Sequence, residues 1–424
     1  MRNGETLIKD VSRHRLDNGL TVLARQDRSV PVVTSMMWYK VGSRHESPGM
    51  RGVSHLLEHL MFKGTDRYGK GEIDYITTRL GGSNNAFTSL DSTAYYFCFA
   101  SDRWLTALDI EASRMGGNLF EPREFEMERK VVIEELKMDL DQPWSALRSQ
   151  VERKSFRSHP YRYPVIGLLQ DLRSISLEQV RDYYLRRYSP ANAVLVLVGD
   201  FEPAEALRQV RARFESLPDG GREAETACPE EPPRQAALRV DVRRTARVSR
   251  LLLAFPAPSI RNPDHYVMQV IDRLLSEGKL CRLYQSLVEE QRLASMASTE
   301  VTETYDPYLL LARFELRNGI SLQEAEERIL AEFSRLGQEA PAEDDVARAR
   351  KQCCTQVLQE FETTLDQAVQ LGMMETLVGF EYWVDYLRRI RSVTPEDVRR
   401  VAERYLDPSQ VIVGRMPRTR SQVA

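Results

Sequence analysis

The segment Gly52-Val-Ser-His55-Leu-Leu-Glu58-His59-Leu-Met-Phe-Lys-Gly64 reads as one short helix, expected over Val53–Phe62 and closed by a glycine. Residues i and i+4 of a helix share a face, with Cβ atoms roughly 5–6 Å apart. His55 and His59 therefore project together, and two imidazoles at that spacing converge on one Zn²⁺ at about 2.0–2.1 Å. Glu58 lies on the adjoining edge, where it reaches a water on the metal without being a ligand. Only six histidines occur in the chain, and two of them fall at this spacing with a glutamate between them. The other positions (Val53, Leu56, Leu57, Leu60, Met61, Phe62) are apolar almost all round, which predicts a buried helix. Three polar side chains in such a helix need a partner, and a metal provides one. Zinc would polarise a peptide carbonyl and acidify a water to a pKa of about 7, whose proton Glu58 would take.

A catalytic zinc takes three protein ligands and keeps one position open. The third is sought on the helix expected over Phe125–Met138. Its apolar positions (Phe125, Met127, Val131, Val132, Leu136) centre on the side that also carries Glu128 and Glu135, while Glu134 points nearly opposite. Carboxylates on an inward face must be paired or metal-bound. The geometry favours Glu135 over Glu134 as the third ligand. Asp139 shares that face one turn on, where it is either a supporting group or already past the helix end.

Outward from these segments, Leu20–Ala24 and Val32–Val41 alternate as strands, Glu72–Leu80 is a helix, and Asn85–Ser89 with Thr93–Ala100 form a hairpin. Residues 217–235 hold Gly, Pro and acidic residues without apolar periodicity and read as a linker. The flanking halves, 1–216 and 236–424, echo each other. Each ends in a hydroxyl-capped helix (after Ser176, after Thr394), a proline turn and an apolar strand (Ala193–Val198, Val411–Gly414). That pattern predicts an α+β fold of two similar domains related by duplication, each a mostly antiparallel sheet packed with helices.

The chain is 424 residues long, 42% apolar and 29% charged, with a net charge of −3, so nothing calls for nucleic acid or an anionic membrane as partner. The longest apolar runs are strand-sized, so no membrane span is expected. Five cysteines (Cys98, Cys228, Cys281, Cys353, Cys354) without a CxxC pair suggest reduced thiols and a cytoplasmic protein. A signal peptide removed before the numbering begins would instead place it in the periplasm.

The His-x-x-Glu-His segment followed by Glu128-Arg-x-Val-Val-x-x-Glu135 resembles the pitrilysin family of inverzincin metallopeptidases. The branch resembled is that of the mitochondrial processing peptidase and its bacterial relatives. Leu16-Asp-Asn-Gly-Leu-Thr-Val, Val41-Gly-Ser-Arg-His-Glu46, Phe62-Lys-Gly-Thr65, Asn85-Ala-Phe-Thr-Ser and His159-Pro-Tyr with Gly167 extend the likeness. The resemblance implies that His55, His59 and Glu135 hold one Zn²⁺ per chain, that Glu58 is the base and that Glu128 supports the site. It implies that Asn85, Ala86, Phe87 and Thr88 form the edge strand that pairs with a substrate backbone; by itself the segment is an ordinary hairpin strand. His159 reads as structural. The implied activity is a zinc-dependent endopeptidase acting on peptides or short unfolded precursors inside a closed chamber, of which this fold forms half of the clamshell.

The second half departs from the pattern. Aligned on Arg282-Leu283 and Leu293-Ala294, the positions where the family places a substrate-contacting Arg and Tyr hold Val288 and Ser295, neither of which donates as those do. A homologous partner subunit supplying Arg and Tyr, in a heterodimer rather than a homodimer, is the implied remedy. The alternative function is a non-catalytic core or scaffold subunit of the same fold; members of that kind carry eroded zinc motifs, whereas here the first-half set is complete.

Overall fold

The computed structural model describes residues 7–220, 228–232 and 234–419; within the expected linker at 217–235, residues 221–227 and 233 lie outside the described residues. The chain forms two compact units. One comprises Met1–Lys137, Tyr163–Cys228 and Leu358–Val384, the other Met138–Arg162, Pro229–Val357 and Asp385–Ala424.

The first unit is built on a six-stranded sheet of β1 (Val11–Arg15), β2 (Thr21–Gln26), β3 (Val32–Tyr39), β4 (Ser83–Thr88), β5 (Thr93–Ala100) and β6 (Ala193–Gly199), in the order β1-β2-β6-β3-β5-β4. Every residue of β6 is buried, as its unbroken apolar run requires of a central strand. Only the β2–β6 pair is parallel. The β4–β5 hairpin is longer than expected at its start, beginning at Ser83 rather than Asn85, and its pairing closes with Thr88 opposite Thr93. Helices α1 (Val53–Leu60), α2 (Glu72–Arg79), α3 (Leu105–Gly117) and α4 (Pro122–Asp141, which runs past the unit's sequence boundary) follow the strands. The expected ends of α1 and α2 hold to within two residues; α4 is longer than expected by three residues at each end.

The second unit carries a five-stranded sheet of β7 (Leu238–Asp241), β8 (Arg250–Ala257), β9 (Ala294–Val301), β10 (Tyr308–Leu316) and β11 (Ile412–Met416), in the order β7-β11-β8-β10-β9. This repeats the order β2-β6-β3-β5-β4, and again a single pair, β7–β11, is parallel. The same helix-to-strand ending serves both sheets. Ser176 caps the helix Leu177–Arg187 with Gln179 returning the bond, and Thr394 caps Pro395–Tyr405 with Asp397 returning it. The fold is thus two sheet-and-helix domains of one topology.

Neither unit is continuous in sequence. The helix Thr364–Leu377 packs on β3 and β6 of the first unit, where Thr364 Oγ1 meets Thr34 Oγ1 at 2.9 Å and Gly372 lies against the buried Trp38 indole. The helix Pro143–Ser155 packs on β11 and β8 of the second, with Gly414 beneath Val151 and Leu147. In both places a glycine removes the Cβ so that helix and strand approach closely. No described helix is long and apolar enough to cross a membrane.

Candidate metal centre

Helix α1 starts where two glycines cross. Gly52 adopts φ 99°, and a Cβ there would lie 2.6 Å from the Ile166 carbonyl oxygen and 3.0 Å from Gly167 Cα. With glycine at the cap, no adjacent side chain satisfies the first N–H groups of the helix. The buried Glu46 does so instead: its Oε2 accepts from Gly52 N at 2.8 Å and its Oε1 from Ser54 N at 2.9 Å. Burial nevertheless pushes the Glu46 carboxyl up to about 7, against the pull of these bonds and of Arg51. The Ser54 hydroxyl meets Tyr183 Oη at 2.9 Å, and Arg51 N donates to Asp171 Oδ2 at 3.0 Å. The helix that carries the motif is therefore fixed at its first turn by buried polar contacts.

Val53, Ser54, Leu56, Leu57 and Leu60 are buried, while His55, Glu58 and His59 are half-buried on one side. The expectation of a helix buried all round is corrected to this extent: the three polar residues share an accessible face. The two imidazole rings lie 4.8 Å apart, centroid to centroid. His59 Nδ1 is 3.2 Å from Glu128 Oε2, and its Nε2 is 3.5 Å from Glu135 Oε2. Ligand-type atoms of His55, His59 and Glu135 lie within 4.8 Å of one another. Burial, with His59 as a lesser cause, pushes the His55 imidazole down to about 4. Its Nδ1 is buried without a hydrogen-bond partner.

Helix α4 buries Phe125, Glu128, Val132 and Leu136. Met127 and Val131, expected on the inward face, are 42% and 49% exposed. The buried stripe of Phe125, Glu128, Val132 and Leu136 is narrower than the apolar pattern. Glu135, also expected on the inward face, is exposed, with its Oε2 turned toward His59 Nε2. Glu134 turns away to pair with Lys137 at 2.6 Å. The helix continues to Asp141, and Asp139 is exposed.

Strand β4 forms an edge of its sheet, paired among the described residues with β5 alone. Asn85 is exposed, and its Oδ1 accepts from Ala86 N at 2.9 Å. Phe87 packs edge-on against Trp38 at 5.4 Å. Thr88 Oγ1 donates to Glu58 Oε2 at 2.5 Å. Burial pushes the Glu58 carboxyl up, with the Thr88 bond opposing. His159 is buried, with Nε2 3.0 Å from Asp306 Oδ2.

In the second unit, Val288 is buried in the π-helical segment Tyr284–Glu290. Ser295 lies on β9 and directs its hydroxyl to the Glu315 carbonyl at 3.3 Å. Two supporting residues escaped the sequence reading. Glu46 could have been sought as the missing cap of a helix that starts on glycine. Lys63, four residues after His59, pairs with Glu128 at 2.9 Å, a contact between separate elements that no spacing in the sequence announces.

The chain thus holds two domains of one topology, and the first brings two histidines and a glutamate together. Two family models match the chain, the insulinase family (peptidase family M16) over residues 21–168 and the peptidase M16 inactive domain over residues 174–353. The chain belongs to the M16 peptidase family. Among its relatives, the zinc protease PqqE of Helicobacter pylori is 28% identical over 401 residues, covering 93% of this chain and 90% of that protein. The mitochondrial-processing peptidase subunit beta of Blastocladiella emersonii is 26% identical over 402 residues, covering 92% and 85%. The crystal structure of a protease from Helicobacter pylori superposes with a TM-score of 0.89 at 26% identity, covering 96% of this chain and 99% of that one.

Proposed function

We propose that the protein is a zinc-dependent endopeptidase in which His55, His59 and Glu135 hold one Zn²⁺ and Glu58 is the catalytic base. The observation that carries the reading is the convergence of three ligand-type atoms within 4.8 Å, with the Glu58 carboxylate on the next position of the same helix. The residues fit such an ion. A His₂Glu set leaves a fourth position open, as catalytic zinc requires. His55 is held neutral and has an unpartnered buried nitrogen, and His59 donates from Nδ1 to Glu128, which turns Nε2 toward Glu135. Bound zinc supplies Lewis acidity toward the scissile carbonyl and toward water.

The chain's own residues supply the rest. Glu58 accepts a proton from the attacking water and returns it to the leaving amine. Thr88 fixes one Glu58 oxygen, and Glu128 orients His59. The open edge of β4, at Asn85, Ala86 and Phe87, offers main-chain groups to an extended peptide, a mode that demands little of its sequence. The substrates are peptides or short unfolded precursors admitted to a chamber. The homologous halves 1–216 and 236–424 descend from one duplicated unit, a reading supported by their shared strand order.

Hydrolysis also needs donors to the developing oxyanion. Val288 is apolar and buried, and the Ser295 hydroxyl is already engaged. A homologous partner chain bearing Arg and Tyr therefore completes the enzyme as a heterodimer. The test combines zinc analysis with a peptide-library digest, with and without a copurifying partner. Glu58→Gln should keep its zinc and lose turnover by about 10²–10⁴. Undiminished hydrolysis by that variant, or a wild-type chain that takes up no zinc, would overturn the reading; a scaffold subunit would show no hydrolysis to lose.

A further inference from the structure

Lys63 lies just beyond the end of α1, and its Nζ is 2.9 Å from Glu128 Oε1. The other oxygen of that carboxylate, Oε2, is 3.2 Å from His59 Nδ1. The far nitrogen of the same imidazole faces Glu135 at 3.5 Å. Both oxygens of Glu128 are thus committed, one to an ammonium and one to a ring N–H. Its side chain is almost wholly enclosed, whereas Lys63 reaches it from a partly open position.

We propose that Lys63 is a positioning residue for the metal centre, fixing the Glu128 carboxylate in the orientation that holds His59 with Nε2 toward Glu135. The inference rests on the zinc reading above. A carboxylate on two methylenes has several rotamers, and a single bond to an imidazole leaves it free to swing about that bond. A second bond on the opposite oxygen removes this freedom. The imidazole inherits the constraint, because a ring nitrogen bonded to a fixed acceptor defines both the tautomer and the ring plane. Lys63 is not itself a ligand, since an ammonium has donors and no acceptor. A plain surface ion pair would stabilise the fold slightly and leave metal binding untouched.

The experiment uses the full chain and Zn²⁺ as the probe, titrated in competition with a chromophoric chelator. Lys63→Met should bind zinc about 10- to 100-fold more weakly, the usual cost of losing a group that orients a ligand. Lys63→Arg keeps a donor to Glu128 and should recover most of the affinity. In the cobalt-substituted protein, the visible ligand-field bands of Lys63→Met should shift or broaden, which a purely structural loss would not produce in a folded variant. In a Glu128→Gln background, Lys63→Met should cause no further loss. Zinc affinity equal to wild type in Lys63→Met overturns the proposal, as does an undiminished Lys63 effect when Glu128 is already changed. Failure of the zinc reading looks different: wild type without zinc uptake, or His59→Ala with unchanged affinity, removes the centre itself and the proposal with it.

Discussion

Thr88 Oγ1 donates to Glu58 Oε2 at 2.5 Å, so the last residue of an edge strand holds the carboxylate that sits beside two histidines. The bond joins the strand proposed to receive substrate to the group proposed to move the proton.

This bond separates two roles for Thr88. If it chiefly orients Glu58, Thr88→Val should lower kcat about 10- to 100-fold with KM little changed, since a hydrogen bond to a charged group is worth about 1.5–3 kcal/mol. Thr88→Ser should restore turnover. Steady-state kinetics on one peptide decides the matter: a raised KM at constant kcat would make Thr88 a substrate contact instead.

The motif helix was legible because ligand spacing is local, four residues on one helix face. Helical phase likewise sets Glu135 rather than Glu134 toward His59, although Glu135 is exposed rather than inward-facing. What phase could not supply was the exposure of Met127 and Val131, because an apolar residue records a preference and the neighbouring elements decide its burial. Thr88 with Glu58 and Lys63 with Glu128 are contacts between separate elements, which periodicity does not report. Strand alternation marked most of the first sheet, but of the second only its last strand was read, through the repeated cap-to-strand ending, and the helices that cover both sheets come partly from distant sequence. Thr364–Leu377 lies on β3 and β6 because Gly372 and Trp38 fit there, a pairing visible only in three dimensions.

That fit carries a stability prediction. A Cβ on Gly372 would lie 2.5 Å from Trp38 Cε2, so Gly372→Ala overfills a closed contact. It should destabilise the protein by about 1–3 kcal/mol, less the gain from alanine's better helix propensity. Chemical denaturation monitored by tryptophan fluorescence measures it, and unchanged stability would show that helix and strand separate freely.

His265 gives a pH prediction away from the metal centre. It is fully buried, and burial pushes its imidazole down to about 4, below the unfolded value of about 6.5. The unfolded chain therefore binds more protons than the folded one between these values. The stabilisation is present above pH about 6.5 and is lost as pH falls through about 4, on the order of 3 kcal/mol in all. Stability curves against pH should be shallower on the acid side for His265→Gln than for wild type. Parallel acid limbs would show that His265 does not titrate on unfolding.

Glu46 closes the start of α1, and its removal should be felt at the histidines that follow. Glu46→Ala leaves the Gly52 and Ser54 N–H groups unsatisfied, at a cost of about 1–3 kcal/mol in thermal or chemical unfolding of the metal-free chain. Glu46→Gln keeps one acceptor and should lose less. Equal stability of Glu46→Ala and wild type would mean that water replaces the carboxylate without penalty.

The central claim is the ligand set, and anomalous diffraction at the zinc absorption edge tests it most directly. Crystals of the full chain grown with zinc should show one peak bounded by His55, His59 and Glu135, with Glu58 outside bonding distance. A peak at Glu134, a peak at another cluster of side chains, or none between His55 and His59 would contradict the account.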